Sequence, residues 1–334
     1  MKKVLLFSEA VTLAHFARCV TLADELYKTG SYSVALAADS RFDNLISIKA
    51  YPRFQVYTID SDYFFKKLAK GFPIYDTQTL SAYVAEDLDI IKRFNPDFII
   101  GDFRLSLAIS SKIANVPYAT VTNAYWSPYV NIDYPIPEIP ITKIFGVTVA
   151  QKLFDLVRPV VFWQHSLAFN RVCKKFHQSP LLYDMRDVYT HADYTLYSDI
   201  ESLFSMQSSL PFNHLFIGPI LWSADAELPD WWERLPEAKP IVFVTLGSSG
   251  DAKLLPPILK ALSAMEVSVI CITARKASIQ NRYSNVFMAD FLPAEVAVKK
   301  ADVVICNGGS PMVYQSIAEN KAIIGIPSNL DQYL

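Results

Sequence analysis

The 334-residue sequence predicts an α/β protein made of two Rossmann-like, doubly wound domains. Three observations predict this fold class. Short continuous apolar runs alternate with stretches of helical spacing, as in parallel sheets covered on both faces. The same alternation restarts after a proline-rich passage near residue 230. The chain is also longer than the roughly 250 to 300 residues at which a single hydrophobic core stops growing.

The first element is the run Val4 to Phe7, a buried strand; Glu9 ends the apolar stretch too early for a signal peptide. Ala14 to Tyr27 then places Phe16, Val20, Leu22, Ala23 and Leu26 at helical spacing, giving strand, loop and helix in succession. Val34 to Ala37 is a second strand. Phe98-Ile99-Ile100 is another, ending at Gly101-Asp102, with a helical stretch through Ile113 and a further strand from Pro117 to Val121. From Ile217 to Pro240 the composition shifts to Gly218-Pro219, Ser223 to Glu227, Pro229, Pro236 and Pro240, which reads as a linker. The expected domains are therefore 1–222 and 241–334, joined by 223–240. In the second, Ile241 to Leu246, Val267 to Thr273, Val303 to Cys306 and Ala322 to Ile326 read as strands, with a helix reaching Met265. Because the sequence stops at Leu334, this domain reads as incomplete.

Charge and cysteine content narrow the chemistry. Lys plus Arg number 31 against 33 Asp plus Glu, so no broad field draws the chain to nucleic acid. The four cysteines, Cys19, Cys173, Cys271 and Cys306, show neither metal-ligand spacing nor the density of a disulfide scaffold; they read as reduced thiols of a cytoplasmic protein. No uninterrupted apolar stretch reaches about 18 residues, the least a spanning helix needs. The acidic pairs Asp60/Asp62 and Asp87/Asp89 lie in polar, charged surroundings away from any glycine loop, and read as solvated faces rather than metal sites.

Glycine is scarce, with ten in the chain, yet Gly247 and Gly250 follow one strand and Gly308 and Gly309 follow another. Glycines there let backbone N–H groups approach a ligand closely, and a helix starting just beyond adds a positive dipole end suited to a diphosphate. Thr245-Leu246-Gly247-Ser248-Ser249-Gly250-Asp251 adds hydroxyl donors.

Phe291-Leu292-Pro293, Cys306-Asn307-Gly308-Gly309-Ser310, Gln315 and Ile326-Pro327-Ser328-Asn329-Leu330-Asp331-Gln332 together resemble the donor-binding signature of the UDP-glycosyltransferase, or macrolide-type glycosyltransferase, family. The resemblance extends to His15, at the opening of the first helix, and Asp102, at the end of a later strand, and so covers nearly the whole chain. It implies the GT-B fold, with the two domains facing a cleft. It also implies inverting, metal-independent transfer of a sugar from a UDP or dTDP donor to a hydroxyl of a hydrophobic small molecule, without a further cofactor. In that scheme His15 takes the acceptor proton and Asp102 orients the imidazole and stabilises its charged form. A histidine titrates near pH ~6.5; a helix start disfavours its cation and a neighbouring carboxylate favours it. Phe291 stacks on the base, and Ser248, Ser249, Gly308, Gly309 and Ser310 hold the diphosphate. Gln315 lies near the ribose, and Asp331 and Gln332 bond the sugar hydroxyls.

Cys306 stands where the family usually has a histidine that donates to the diphosphate; a thiol is a poor donor, so either donor affinity is lower or Asn307 supplies the contact. Pro311 and Met312 replace a small pair at the helix start, where proline is tolerated. These departures keep a non-catalytic sugar-nucleotide-binding protein as the first rival, and a sugar-nucleotide epimerase on the same scaffold as the second. His165, His177, His191 and His214 lack matching context and read as structural. Finally, Tyr63 to Phe72 mixes aromatics with lysines and Phe145 to Phe169 is apolar around Arg158-Pro159. The expected reading of both is a buried hydrophobic acceptor lobe; the competing one is peripheral membrane contact serving a lipid-linked acceptor.

Overall fold

The computed structural model describes residues 1–334 apart from 49, 138, 180, 237, 275–278 and 280, and apart from the side chain of residue 140. Its contacts divide the chain into two compact units: 1–43 with 48–220, and 221–334 with the short segment 44–47.

In the first unit the strands are β1 (Lys2–Ser8), β2 (Tyr32–Ala38), β3 (Arg53–Phe54), β4 (Phe98–Asp102), β5 (Tyr118–Thr122), β6 (Val130–Asn131), β7 (Tyr194–Tyr197), β8 (Ser205–Met206) and β9 (His214–Phe216). Seven of these form a parallel sheet in the order β3-β2-β1-β4-β5-β7-β9, and β6 pairs antiparallel with β8. The helices are α1 (Leu13–Lys28), α2 (Ser61–Ala69), α3 (Thr77–Phe94), α4 (Leu107–Ala114), α5 (Pro140–Lys175) and α6 (Met185–Tyr189). Leu5, Phe7, Ala35, Ala37 and Ile99 project from the strands into a core shared with Val84, Ile91, Leu107, Phe169 and Val172 of the helices. The expected strands of this half match observed ones within one or two residues at each end; the one expected from Pro117 begins at Tyr118.

The second unit continues with β10 (Ile241–Thr245), α7 (Leu255–Ser263), β11 (Ser268–Ile272), β12 (Val286–Ala289), α8 (Ala294–Lys300), β13 (Val303–Cys306), α9 (Ser310–Ala318), β14 (Ala322–Gly325) and α10 (Leu330–Tyr333). Its parallel sheet runs β12-β11-β10-β13-β14. Strand β10 shows why its sequence is uniformly apolar: Ile241 and Phe243 enter one core cluster, and Val242 and Val244 the other. In the proline-rich passage, Trp232 and Leu235 are buried in this unit's core and Trp231 Nε1 donates to Met288 O at 3.1 Å. Segment 44–47 is held by Asp225, whose amide donates to Leu45 O at 2.9 Å and whose Oδ2 accepts from Ser47 N at 2.6 Å.

Two expectations need correction. Asp87 is fully buried, not solvated: it sits in the middle of α3 and accepts from Arg104 Nε at 3.0 Å and Ser106 Oγ at 2.6 Å. It faces α4, where Ser110 Oγ donates to it at 3.2 Å, while Asp89 two residues on is exposed, so local polarity misled. The apolar stretch Phe145 to Phe169 is likewise not a buried lobe throughout. It belongs to α5, which is interrupted at Gly146 (φ +73°), and only part of its circumference meets the core. Asp60 and Asp89 match the surface reading: Asp60 caps α2 by accepting from Tyr63 N, and Asp89 meets Arg93 at 3.3 Å on an exposed face.

Candidate active site

At the carboxyl end of the first sheet, β1 and β4 pair with Ser8 opposite Asp102. The chain leaves β1 through Glu9, whose amide donates to Asp102 O at 3.0 Å, and turns into α1. His15 and Arg18 are three apart on that helix and share one face. Both reach the same carboxylate. His15 Nδ1 lies 2.7 Å from Asp102 Oδ1; Arg18 Nε donates to Oδ2 at 2.7 Å and Nη2 to Oδ1 at 2.9 Å. Arg18 Nη1 continues to Asn123 Oδ1 at 2.9 Å, and Asn123 Nδ2 to Asp199 Oδ1 at 3.0 Å. The chain of contacts thus links the ends of α1, β4, β5 and β7.

Burial raises the cost of charge on Asp102, but Arg18 and then His15 outweigh it and hold the carboxyl below its usual range. Asp102 is therefore an acceptor only, which makes Nδ1 the protonated ring nitrogen and Nε2 the basic one. Arg18 Nη2 lies within reach of both Nδ1, at 3.1 Å, and the carboxylate, at 2.9 Å. Burial opposes the Arg18 cation, and Asp102 more than compensates. The imidazole keeps 20% side-chain exposure while Asp102 keeps 1%, so the pair opens to solvent only at the ring.

Phe103 fixes that ring from the side. It has φ +58°, a left-handed conformation rare outside glycine, and its ring stacks on His15 with centroids 4.9 Å apart and planes 7° apart. Gly101, two residues earlier, is closely packed: a Cβ there would displace the tip of Leu107 and stand 3.0 Å from Tyr118. Phe103 also meets Tyr189 at 5.5 Å and Tyr75 at 6.2 Å. These two tyrosines line a small, mainly apolar pocket with Ile74, Leu80, Leu105 and Phe169 that is partly open to solvent.

A second buried network lies beside the first. Arg104 donates to Glu9 Oε2 at 3.0 Å, Asp87 Oδ1 at 3.0 Å and Glu86 Oε2 at 2.7 Å, and its guanidinium lies 3.7 Å over the Tyr83 ring. Burial pushes the Glu9 and Asp87 carboxyls up, with Arg104 opposing it. This network anchors the turn that carries α1.

In the second unit the expected donor residues gather at the carboxyl edge of the sheet. Ser249 Oγ accepts from Asn307 Nδ2 at 3.0 Å and from Gln332 Nε2 at 3.2 Å, joining the loops after β10 and β13 to α10. Asn307 Oδ1 accepts from Gly309 N at 3.3 Å. Gly308 has φ +80°, and a Cβ there would stand 2.6 Å from Gln332 O, so this turn requires glycine. Gln332 Oε1 in turn accepts from Ser328 N at 2.8 Å. Ser310 opens α9 with Gly309 as its cap residue and Pro311 in the first turn, where proline's missing N–H costs nothing. Ser248 belongs to the loop after β10, half-buried Phe291 follows β12 and Asp331 lies in α10. Cys306 points into the apolar core, its sulfur accepting from Gly308 N at 3.4 Å, and Gln315 is buried on α9.

Sequence reasoning missed Arg18, Asn123, Phe103 and the Glu9–Arg104–Asp87 network. Three of the four remaining histidines have side-chain partners: His165 meets Gly71 O at 3.2 Å, His191 meets Lys112 at 2.8 Å and His214 meets Tyr197 at 2.7 Å; His177 is exposed, with φ +55° beyond the end of α5. Among the described residues, no three His, Cys, Asp or Glu side chains group to hold a metal ion.

No protein-family profile matches the chain. A PGL/p-HBAD biosynthesis glycosyltransferase of Mycobacterium tuberculosis is 41% identical over 333 residues, covering 100% of this chain and 77% of that protein. A PGL/p-HBAD biosynthesis rhamnosyltransferase of Mycobacterium bovis is 38% identical, covering 100% and 74%. A protein of the same species named as an inactive PGL/p-HBAD biosynthesis glycosyltransferase is 40% identical, covering 78% and 71%. Solved structures share the fold. The glycosyltransferase SnogD from Streptomyces nogalater has a TM-score of 0.65 at 16% identity, covering 99% of this chain and 83% of that one. UGT2 of Phytolacca americana, complexed with UDP-2-fluoro-glucose and pterostilbene, has a TM-score of 0.65 at 14% identity, covering 99% and 81%. The spinosyn rhamnosyltransferase SpnG with thymidine diphosphate has a TM-score of 0.62 at 16% identity, covering 100% and 82%.

The fold is the GT-B fold of glycosyltransferases, as the sequence resemblance implied. The chain belongs to the family of the PGL/p-HBAD biosynthesis glycosyltransferases and is a glycosyltransferase acting with nucleotide sugars.

Proposed function

We propose that the chain transfers a sugar from a UDP or dTDP donor to a hydroxyl of a hydrophobic acceptor, with inversion at the anomeric carbon and without a metal ion. The observation that carries this reading is the His15–Asp102 contact of 2.7 Å, braced by Arg18. His15 Nε2 takes the acceptor proton as the acceptor oxygen attacks the anomeric carbon from the side opposite the diphosphate. The bond to the diphosphate breaks, and the proton remains on the imidazole beside Asp102. Arg18 holds the carboxylate by two hydrogen bonds, so the imidazole keeps its orientation through the step.

Ser248, Ser249, Gly308, Gly309 and Ser310 are the diphosphate-holding groups in this reading. Phe291 takes the base, Gln315 the ribose, and Asp331 with Gln332 the sugar. Fixed neutral donors stabilise the leaving diphosphate, the service a divalent cation gives elsewhere. The SpnG complex with thymidine diphosphate supports the dTDP alternative, and the UGT2 complex the UDP alternative. The apolar pocket joined to His15 through Phe103 supports a hydrophobic acceptor. Four unpaired, buried cysteines support a cytoplasmic site of action. Among the described residues no helix is long and apolar enough to cross a membrane.

A non-catalytic role is the second reading, favoured by the relative named inactive and by the thiol of Cys306 at a position where the family has a histidine. Mass spectrometry and NMR of products formed from UDP- or dTDP-sugars, with and without a phenolic or aliphatic alcohol, separate the readings. Inverted glycoside formed in excess EDTA is the expected result. A rate restored only by magnesium contradicts metal independence, and a product formed from donor alone indicates an epimerase.

A further inference from the structure

We propose that Phe103 is a positioning residue for the transfer: its ring sets the plane of the His15 imidazole and so aims Nε2 at the acceptor hydroxyl, a role that rests on His15 being the base. A single hydrogen bond cannot set that plane. His15 Nδ1 lies 2.7 Å from Asp102 Oδ1, which fixes one vertex of the ring and the direction in which it points. Rotation about that contact remains, because the outer torsion of a histidine side chain has broad minima and an sp² oxygen accepts over a wide range of angles. The stack removes this freedom. With centroids 4.9 Å apart and planes 7° apart, the Phe103 ring lies flat beside the imidazole. Tilting the imidazole towards Phe103 would drive the rings together, and tilting it away would give up their contact.

The backbone at Phe103 is strained in the way this role requires. Its φ of +58° suits glycine or asparagine far better than an aromatic residue. Such a conformation persists only where the surroundings over-determine it. Here the residues on either side are both anchored. Asp102 is held by Arg18 through two hydrogen bonds, Arg104 is held by Glu9, Asp87 and Glu86, and both flanking residues are 1% exposed. Phe103 is thus left no relaxed backbone to move to, and its ring meets α1 at His15.

Other rings hold Phe103 in turn. Phe64 and Tyr189 meet it edge-on at 6.0 and 5.5 Å, and Tyr75 lies at 6.2 Å. Tyr75 and Tyr189 also line the apolar pocket. The ring that orients the base therefore packs against the wall of that pocket.

The test compares Phe103→Tyr, Phe103→Leu and Phe103→Asn in the full chain. Leucine keeps apolar bulk and asparagine suits the left-handed backbone, but both lack the ring; tyrosine keeps it. The first readout is NMR of the His15 ring protons, assigned by their loss in His15→Gln, and needs no substrate. A ring-current shift should be present in the wild type and the tyrosine variant and vanish in the other two. The second readout is transfer of a UDP- or dTDP-sugar to p-nitrophenol. The leucine and asparagine variants should each lose roughly 10- to 100-fold in kcat with donor KM unchanged, while the tyrosine variant keeps both. A merely structural role would lower the unfolding temperature without this split. Equal ring-proton shifts in all four proteins, or wild-type kcat in a folded leucine or asparagine variant, overturns the proposal. Transfer at the wild-type rate by His15→Ala would instead sink the base assignment itself; an inactive His15→Ala beside unimpaired Phe103 variants would sink the positioning role alone.

Discussion

At the carboxyl edge of the first sheet, buried charge is dense: Asp102, Arg18, Glu9, Arg104 and Asp87 are all nearly inaccessible, and each is paired. At the same edge of the second sheet, the links between loops are neutral. Hydroxyl, amide and glycine N–H groups join Ser249, Asn307, Gly309 and Gln332. Under the proposed function this contrast has a purpose: a base must keep one orientation while its charge changes, so its partner carboxylate is fixed by a permanent cation. A diphosphate would bring its own charge, which close backbone approach serves better than a rigid ion pair. The first arrangement is stiff and costly to disturb, whereas the second depends on shape.

The largest effect that follows is on rate. His15→Ala should lower transfer by roughly 10² to 10⁴-fold with the nucleotide-induced rise in unfolding temperature unchanged. Equal losses in both readouts would tie the two edges together and break the comparison. Next, Arg18→Met leaves Asp102 buried without its main counter-charge. About 3 to 5 kcal/mol of stability should disappear in urea unfolding; a loss below about 1 kcal/mol, the scale of an exposed pair, would remove Arg18 from the account.

In the second unit Gly308→Ala forces a Cβ toward Gln332 O at a backbone angle of φ +80°. Strain of about 1 to 3 kcal/mol and weaker donor binding are expected in calorimetry, with kcat at saturating donor much less affected. Ser249→Ala removes one neutral bridge and should cost only about 1 kcal/mol, read as a few-fold rise in donor KM. The smallest effect is a pH dependence. Burial, helped by Lys112, pushes the His191 imidazole down to about 4. The unfolded chain then binds a proton that the folded one refuses, so stability is complete above pH ~6.5 and falls as pH drops towards about 4. His191→Gln should flatten that part of the unfolding-temperature profile.

The strands were legible because a strand buried on both faces leaves a plain apolar run; β10 shows this when Phe243 and Val244 enter opposite cores. The glycine turns were legible because glycine is scarce, and Gly308 indeed has φ +80° with no room for a Cβ beside Gln332 O. His15 and Asp102 stood out through the family resemblance. Arg18 did not, because its partner is 84 positions away and an arginine on a helix ordinarily faces water. Asp87 failed for the same reason, being named by its neighbours and explained only by Arg104. The acceptor side of α5 was misread because apolar composition alone cannot say which half of a helix finds a core.

Presteady-state transfer by His15→Ala, compared with the unaltered chain at saturating nucleotide sugar and acceptor, tests the central claim most directly. Glycoside formation should fall to background while the variant still binds the nucleotide with unchanged affinity. Glycoside formed at the original rate would show that another group takes the acceptor proton.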